Sequence, residues 1–457
     1  MSRLPGPRSP LALLSFFRAA QHDSYAALTD LRERYGQIVR LGVGPATVVF
    51  AFGPEANETI LSGAPAAFRW REAMKALIPV DGDTALVVTD GEDHARRRRL
   101  VQPGFHKRRI DGYVDLMTAE ADDVLDPLTT GEVVDAYALF RIAIRRTVVL
   151  ALFGDHLRTR ADEIGELLQP AFDFINLPLL RQLKLPWPGT HYHRARRARA
   201  AVDAVIDDEI ARRASNPTHD GGDVLSMLLA TTDEDGVGLS RAEIRDQVVS
   251  LIAAGYDTTA AAMAWIVWRI STEAGIWQDL QQELDAVVGD RPIAVDDLPK
   301  LLVLDGVVRE TLRLHPPGVI APRKVVGPVQ IGGYAIPRGA LLLYSAYITG
   351  REPGVWSDPE AFRPQRWNPS APGYEATSPY ASVTFGGGAR RCIGFAFAEL
   401  ELKLMTAQLV RRVDVSCLLS APPRPTGIAS VMPAGGVPIR ITCTRAPRDP
   451  ASPVVEG

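Results

Sequence analysis

One cysteine in this 457-residue chain stands where chemistry is expected. It is Cys392, in Phe385-Gly386-Gly387-Gly388-Ala389-Arg390-Arg391-Cys392-Ile393-Gly394, and the run Phe395 to Leu409 after it has helical spacing. A cysteine at the mouth of a helix meets unpaired backbone N–H groups and the positive end of the macrodipole, which favour thiolate over thiol. Gly386, Gly387, Gly388 and Gly394 carry no Cβ, so a flat ligand can come close to the backbone. Phe385 can cover the sulfur, and Arg390 offers a charge to an anionic group. The plain alternatives are a small buried hydrophobe and a flexible turn. A phosphate loop would need the Lys-Ser/Thr that is missing here. On residues alone, the stretch is an activated thiolate in a tight loop.

A second set of reactive side chains lies on a long helical pattern. Ser240-Arg241-Ala242-Glu243 reads as a capping box, and the pattern ends near Gly275. Such a helix is on the order of 50 Å long. It is apolar nearly all round, so it should be buried. At its middle sits Ala254-Gly255-Tyr256-Asp257-Thr258-Thr259. A buried Asp257 needs a partner or a proton. Thr258 can bond back to the Ala254 carbonyl and bend the helix. Ala254 and Thr258 are four apart and share a face, and the small Ala254 and Gly255 leave space. A hydroxyl beside a carboxyl above a metal suits a proton relay. The competing reading is a helix interior with a packing glycine and a self-capped threonine.

The pattern Phe-x-x-Gly-x-Arg-x-Cys-x-Gly resembles the haem-binding loop of the cytochrome P-450 family at every fixed position, and the 254–259 hexapeptide is similar to that family's acid–alcohol pair. The resemblance runs over roughly residues 20 to 445. It implies Cys392 as the iron ligand, with Phe385, Gly386, Arg390, Gly394, Ala254 and Gly255 around the haem. His94-x-x-x-Arg98, followed by Pro103-Gly104-Phe105, resembles the helix whose His and Arg hold a propionate, and Arg323 matches a further propionate arginine. Arg96, Arg97 and Arg99 are then candidates to meet an acidic electron donor. Glu310-x-x-Arg313 and Arg366 match a scaffold triad, with Gln365 where Glu is more common. Asp257 and Thr258 take the catalytic roles.

The implied fold is mainly α with a small β region, one large domain with haem b between the long helix and the cysteine loop. The expected layout is a lead segment 1–19, a domain 20–445 and a disordered tail 446–457. The implied activity is monooxygenation of a lipid, sterol, terpenoid or polyketide. Electrons would come from a ferredoxin or similar donor with an NAD(P)H-dependent reductase. A peroxide-driven enzyme and a non-catalytic haem sensor or carrier are the alternatives, and neither requires the acid–alcohol pair. Phe172, Ile175, Ala254, Val319, Ile320, Ile428 and Val431 are the apolar candidates for a substrate pocket.

Composition sets the remaining bounds. Hydrophobic residues make up 46% of the chain, enough for a large core, and a net charge of −3 gives no case for nucleic acid. Three cysteines fit a reducing cytoplasm, with core packing expected for Cys417 and Cys443. The apolar stretch Pro10 to Phe17 is too short to span a bilayer, and a soluble monomer is expected. Helical spacing is clear over Ser24 to Tyr35, a hairpin over Ile38–Leu41 and Ala46–Phe52, and a loop-rich roof over Pro65 to Gly91.

Overall fold

The computed structural model describes residues 3–63, 65–177, 181–215, 222–427 and 430–445. Helix α1 (Pro10–His22) starts on Ser9, whose hydroxyl accepts from the Leu11 N–H at 3.2 Å. It crosses the boundary expected near residue 19. Helix α2 (Ser24–Tyr35) is capped by Asp23 and stopped by Gly36 at φ 88°, a backbone that favours glycine. The expected hairpin forms as β1 (Ile38–Leu41) antiparallel to β2 (Val48–Ala51). Helix α3 (Pro54–Ser62) and the short β3 (Phe68–Arg69) follow.

The middle of the chain is helical: α4 (Gly91–Val101), α5 (Ala136–Phe153), α6 (Ala161–Asn176), α7 (His191–Ser215), α8 (Arg241–Thr272) and α9 (Leu302–Leu314). Strands β4 (Ile320–Val325) and β5 (Leu341–Ser345) complete a sheet in the order β1-β2-β5-β4-β3, in which only β2 and β5 run parallel. Helix α10 (Phe395–Arg412) leads into a small sheet that joins Val413–Cys417, Pro438–Thr444 and Val133–Asp135.

Helix α8 organises the core. Its capping box is present: the Glu243 N–H donates to Ser240 Oγ at 3.3 Å and the Ser240 N–H to Glu243 Oε2 at 2.9 Å. From Thr259 to Trp268 every side chain is buried, and each large one contributes about 1.5–3 kcal/mol. His315 lies flat on Trp265 (centroids 4.2 Å apart, planes 7° apart), which ties the end of α9 to α8.

The roof is stitched to the first half of α8. Asp246 accepts from the Thr84 N–H at 2.9 Å, the Thr84 hydroxyl at 2.7 Å and Arg199 at 2.6 Å. Arg199 also donates to the Val80 carbonyl at 2.6 Å. Burial pushes the neighbouring Asp81 up to about 7, with Asp246 adding to the rise and Ser250 and Arg199 opposing it.

One cysteine expectation changes: Cys443 is exposed, whereas the half-buried Cys417 stands opposite the buried Ile439 and packs against the main core. Among the described residues no helix is long and apolar enough to cross a membrane. The tail expected to be disordered, 446–457, lies outside the described residues.

Candidate active site

The cysteine loop is a folded turn fixed by its own backbone. The Cys392 N–H donates to the Phe385 carbonyl at 2.8 Å, Gly386 to Val383 at 2.9 Å and Arg391 to Gly388 at 3.1 Å. Gly386 and Gly388 have φ of 67° and 61°, which favour glycine. A Cβ on Gly388 would come within 2.1 Å of the Leu61 carbonyl oxygen, and one on Gly387 within 3.2 Å of the Leu61 side chain. These two glycines let the loop close on α3. Gly394 N-caps α10.

The thiol also departs from expectation. Burial pushes Cys392 up from its ordinary value, and the Gly394 N–H, Arg98 and Arg391 only partly offset this. Desolvation outweighs the helix mouth, so a bound cation would be needed to hold the thiolate. Cys392 and Ala254 nonetheless keep accessible surface although they sit on interior elements.

Three guanidinium groups gather beside the loop. Arg98 donates to the Arg391 carbonyl at 2.9 Å. Arg323 lies 3.9 Å and Arg390 5.2 Å from the centre of the Trp70 ring. Arg390 donates to the Thr89 carbonyl at 2.6 Å and to Asp90 at 3.0 Å. Burial pulls Arg390 down to about 10; Arg323 and Arg98 deepen the fall while Asp90 resists it. Burial, then Arg390 and Arg98, pull His94 down to about 4, so at neutral pH its ring is uncharged. Three cations against one carboxylate leave a surplus that suits a dianion. Haem carries two carboxylates, and with a thiol close by the residues present fit that group.

The acid and the alcohol part company on α8. The Thr258 hydroxyl donates to the Ala254 carbonyl at 2.7 Å, as the spacing predicts. The Asp257 carboxylate accepts from the Tyr137 hydroxyl at 3.1 Å and from Arg141 Nε at 3.2 Å. Arg141 also reaches Gln169 at 2.6 Å. Asp257, Tyr137, Arg141 and Phe172 line a cavity of about 490 Å³ that opens to solvent. Gly255 serves packing: a Cβ there would stand 3.2 Å from Val148 of α5.

Tyr137 and Arg141 were missed in the sequence. The signal was present only in part: Asp257 needs a cation, but the helix Ala136–Phe153 offers Arg141, Arg145 and Arg146, of which the last two pair with Asp162.

The scaffold residues meet as expected. Glu310 accepts two bonds from Arg313, at 2.8 and 2.7 Å, one from Arg366 at 3.0 Å and one from the Trp367 indole at 3.0 Å. Glu310, Arg313 and Arg366 are buried. Arg366 also pairs with Glu375, which supplies a carboxylate although position 365 is glutamine. The Thr384 hydroxyl donates to the Leu312 carbonyl at 2.9 Å, so α9 holds the segment entering the cysteine loop.

Two arginines considered for partner docking are engaged within the chain. Arg96 pairs with Asp233 at 2.7 Å and Arg97 with Glu243 at 2.8 Å, whereas Arg99 is exposed. Of the pocket candidates, Phe172 packs edge-on against Tyr256 at 5.3 Å. Val319 and Val431 are buried in the main core, Ile320 is partly buried against it, and Ile175 packs against a small cluster around Val80 and Phe174. Ile428 lies outside the described residues.

A long interior helix bearing Asp257 and Thr258, a folded cysteine loop and an arginine cluster for a dianion define a haem-thiolate protein. The Cytochrome P-450 family profile matches residues 4–436, and the chain belongs to that family. A mycobacterial cytochrome P-450 of the 139 type (Mycobacterium tuberculosis) is 40% identical over 389 residues, 84% of this chain and 90% of that one. Pentalenene oxygenase of Streptomyces avermitilis is 31% identical over 416 residues, 89% of this chain and 90% of its own. Cyclooctatin synthase of Streptomyces melanosporofaciens is 32% identical over 384 residues, 83% of each. Among solved structures, retinoic acid bound cyanobacterial CYP120A1 is similar with a TM-score of 0.81 and 26% identity, over 90% of this chain and 93% of that one. The protein is a cytochrome P-450 monooxygenase with a haem-thiolate cofactor.

Proposed function

We propose that Asp257 and Thr258 form the proton route into the haem-thiolate site, and that the enzyme oxygenates a lipophilic substrate of the terpenoid class. Haem b held through Cys392 supplies dioxygen activation when two electrons reach it. The observation that carries the reading is the anchoring of Asp257. Tyr137 and Arg141 hold its carboxylate at the wall of a solvent-open cavity of about 490 Å³, and Thr258 is the next residue on α8. Asp257 picks up a proton from water in that cavity at a carboxylate oxygen and passes it inward. Thr258 Oγ, anchored on the Ala254 carbonyl at 2.7 Å, positions the proton that enters the reaction. His94, Arg98, Arg323 and Arg390 hold the propionates.

The substrate class is supported by the relatives named for terpenoid oxidation, pentalenene oxygenase and cyclooctatin synthase, at about 31% identity. Electrons come from a separate ferredoxin with its NAD(P)H-dependent reductase, and the enzyme works as a cytoplasmic monomer. Spectral titration of the haem-loaded protein against terpenes, sterols, fatty acids and polyketides tests the class. A terpene is expected to bind tightest and to be oxygenated only with NAD(P)H, the electron donor and O2. Thr258→Ala is expected to convert more of the consumed NAD(P)H to hydrogen peroxide and less to product. Coupling equal to the parent enzyme would remove the relay.

A further inference from the structure

The roof over the thiolate loop buries an acid. Asp81 ends the short helix Ile78–Asp81 and is 4% exposed. Val80 beside it packs on Ala171 and Phe174 of α6 and on Ala195 and Ala198 of α7. Asp81 itself turns to α8, where the Ser250 hydroxyl bonds to its carboxyl. Ser250 stands four residues before Ala254 and eight before Thr258, so the three share one face of α8. Ala254 keeps accessible surface on this interior helix, which marks that face as the one toward the haem site. From Asp81 the roof crosses it. Gln247 ties the crossing down, accepting from the Leu86 N–H at 3.0 Å and donating to the Thr84 carbonyl at 2.7 Å. Arg390 holds the far end through the Thr89 carbonyl at 2.6 Å. The pair Asp81 and Ser250 is therefore the α8 end of the ceiling, and the propionate arginines stand at the other.

A buried acid is ordinarily closed off by a cation of its own. Here the nearest cation is taken. Arg199 donates to Asp203 at 2.8 Å, to the Val80 carbonyl at 2.6 Å and to Asp246 at 2.6 Å. Asp81 and Asp246 are thus two carboxyls beside one guanidinium. In the roof, Asp83 is paired with Arg71, and α6 presents Ala171 and Phe174 to this corner. Burial, with Asp246 adding to it, holds Asp81 up to about 7. Below that pH its carboxyl both donates and accepts; above it, it only accepts. The single Ser250 hydroxyl does not use all of that capacity.

We propose that Asp81 and Ser250 bind an oxygen atom of the substrate, a carbonyl or a hydroxyl, and so place a carbon further along the lipophile at the Cys392 site. This deepens the proposed function and rests on it. The substrate is then a terpenoid that already carries oxygen, supplied by a reaction that forms a C–O bond. A bare hydrocarbon would leave the carboxyl desolvated and unmatched.

Spectral titration of the haem-loaded enzyme with p-menthane, menthol and menthone, one terpene skeleton with and without oxygen, tests this by binding and not by turnover. A second set, cholestane, cholestanol and cholestanone, separates it from the terpenoid reading. At about pH 6, menthol and menthone are expected to bind about 3- to 10-fold tighter than p-menthane. At about pH 8 menthone is expected to lose that advantage, because an ionised carboxylate has no proton for its carbonyl, and menthol to keep it by donating its own. Asp81→Leu is expected to erase the advantage at both pH values. Asp81→Asn, whose amide donates at every pH, is expected to keep the menthone advantage at about pH 8, an outcome that a merely structural acid would not give. Equal binding within both sets, or an advantage that survives in Asp81→Leu, overturns the inference and leaves the terpenoid class standing. An advantage confined to the oxygenated steroids overturns the class and keeps the Asp81 contact. Binding by neither set removes both.

Discussion

Asp257 and Arg141 illustrate how a residue's meaning depends on what it touches. The sequence places an acid inside an apolar helix, and physics then demands a partner without saying where it lies. The partner is 116 positions earlier, which no local spacing rule reaches. Arg141→Leu, by leaving the carboxylate of a partly buried site without its cation, is expected to slow turnover about 10- to 100-fold; Arg141→Lys should restore part of the rate. His94 gives a second residue-scale prediction. Its folded value of about 4 lies below the ordinary 6.5, so the fold resists its protonation. The stability that follows is present above pH 6.5 and is lost as pH falls toward 4. Thermal melts across that window are expected to decline in the parent and to flatten in His94→Gln. The motif at Cys392 carries no sign of the direction of its pKa, because desolvation is a property of the packed loop and not of the ten-residue string.

At the level of elements, the sequence was most readable where a segment carries its own start and stop. Helix α2 matches its expected bounds because Gly36 ends it, and α8 matches because Ser240 and Glu243 cap each other. The roof was less legible. Its short helices Arg71–Met74 and Ile78–Asp81 have little periodicity of their own: the first is held by Asp90, which accepts from the Arg71 N–H at 2.7 Å, and the second by Arg199 on α7, which donates to the Val80 carbonyl. That dependence makes the roof sensitive to pH. Asp81 is held up to about 7 from an ordinary 3.8, so its contribution is complete below pH 3.8 and is lost as pH rises through 7. Asp81→Asn is expected to remove that decline, with hydrogen exchange in residues 78–89, corrected for intrinsic rate, staying slow above neutral pH. Unchanged protection in both proteins would refute the coupling.

For the whole molecule, the tie that secures the cysteine loop runs through Glu310. Arg313 and Arg366 bring α9 and the 357–375 loops onto one carboxylate, and Thr384 carries that tie to the thiolate loop. Removing one member leaves a buried charge uncompensated, so Arg366→Met is expected to cost about 3–5 kcal/mol in urea unfolding and to reduce the thiolate form recovered with haem. The sequence made this triad visible as a pattern, while Glu375, which completes it, carries no motif and appears only once the loop has folded back. The contact between α8 and α5 has a different consequence. With only 3.2 Å between Val148 and the place where a Cβ would stand on Gly255, position 255 cannot grow unless Val148 gives way or becomes smaller. Descendants of this chain that acquire alanine at 255 should arise in lineages where position 148 has already shrunk, so the two sites form a single heritable unit split across two helices.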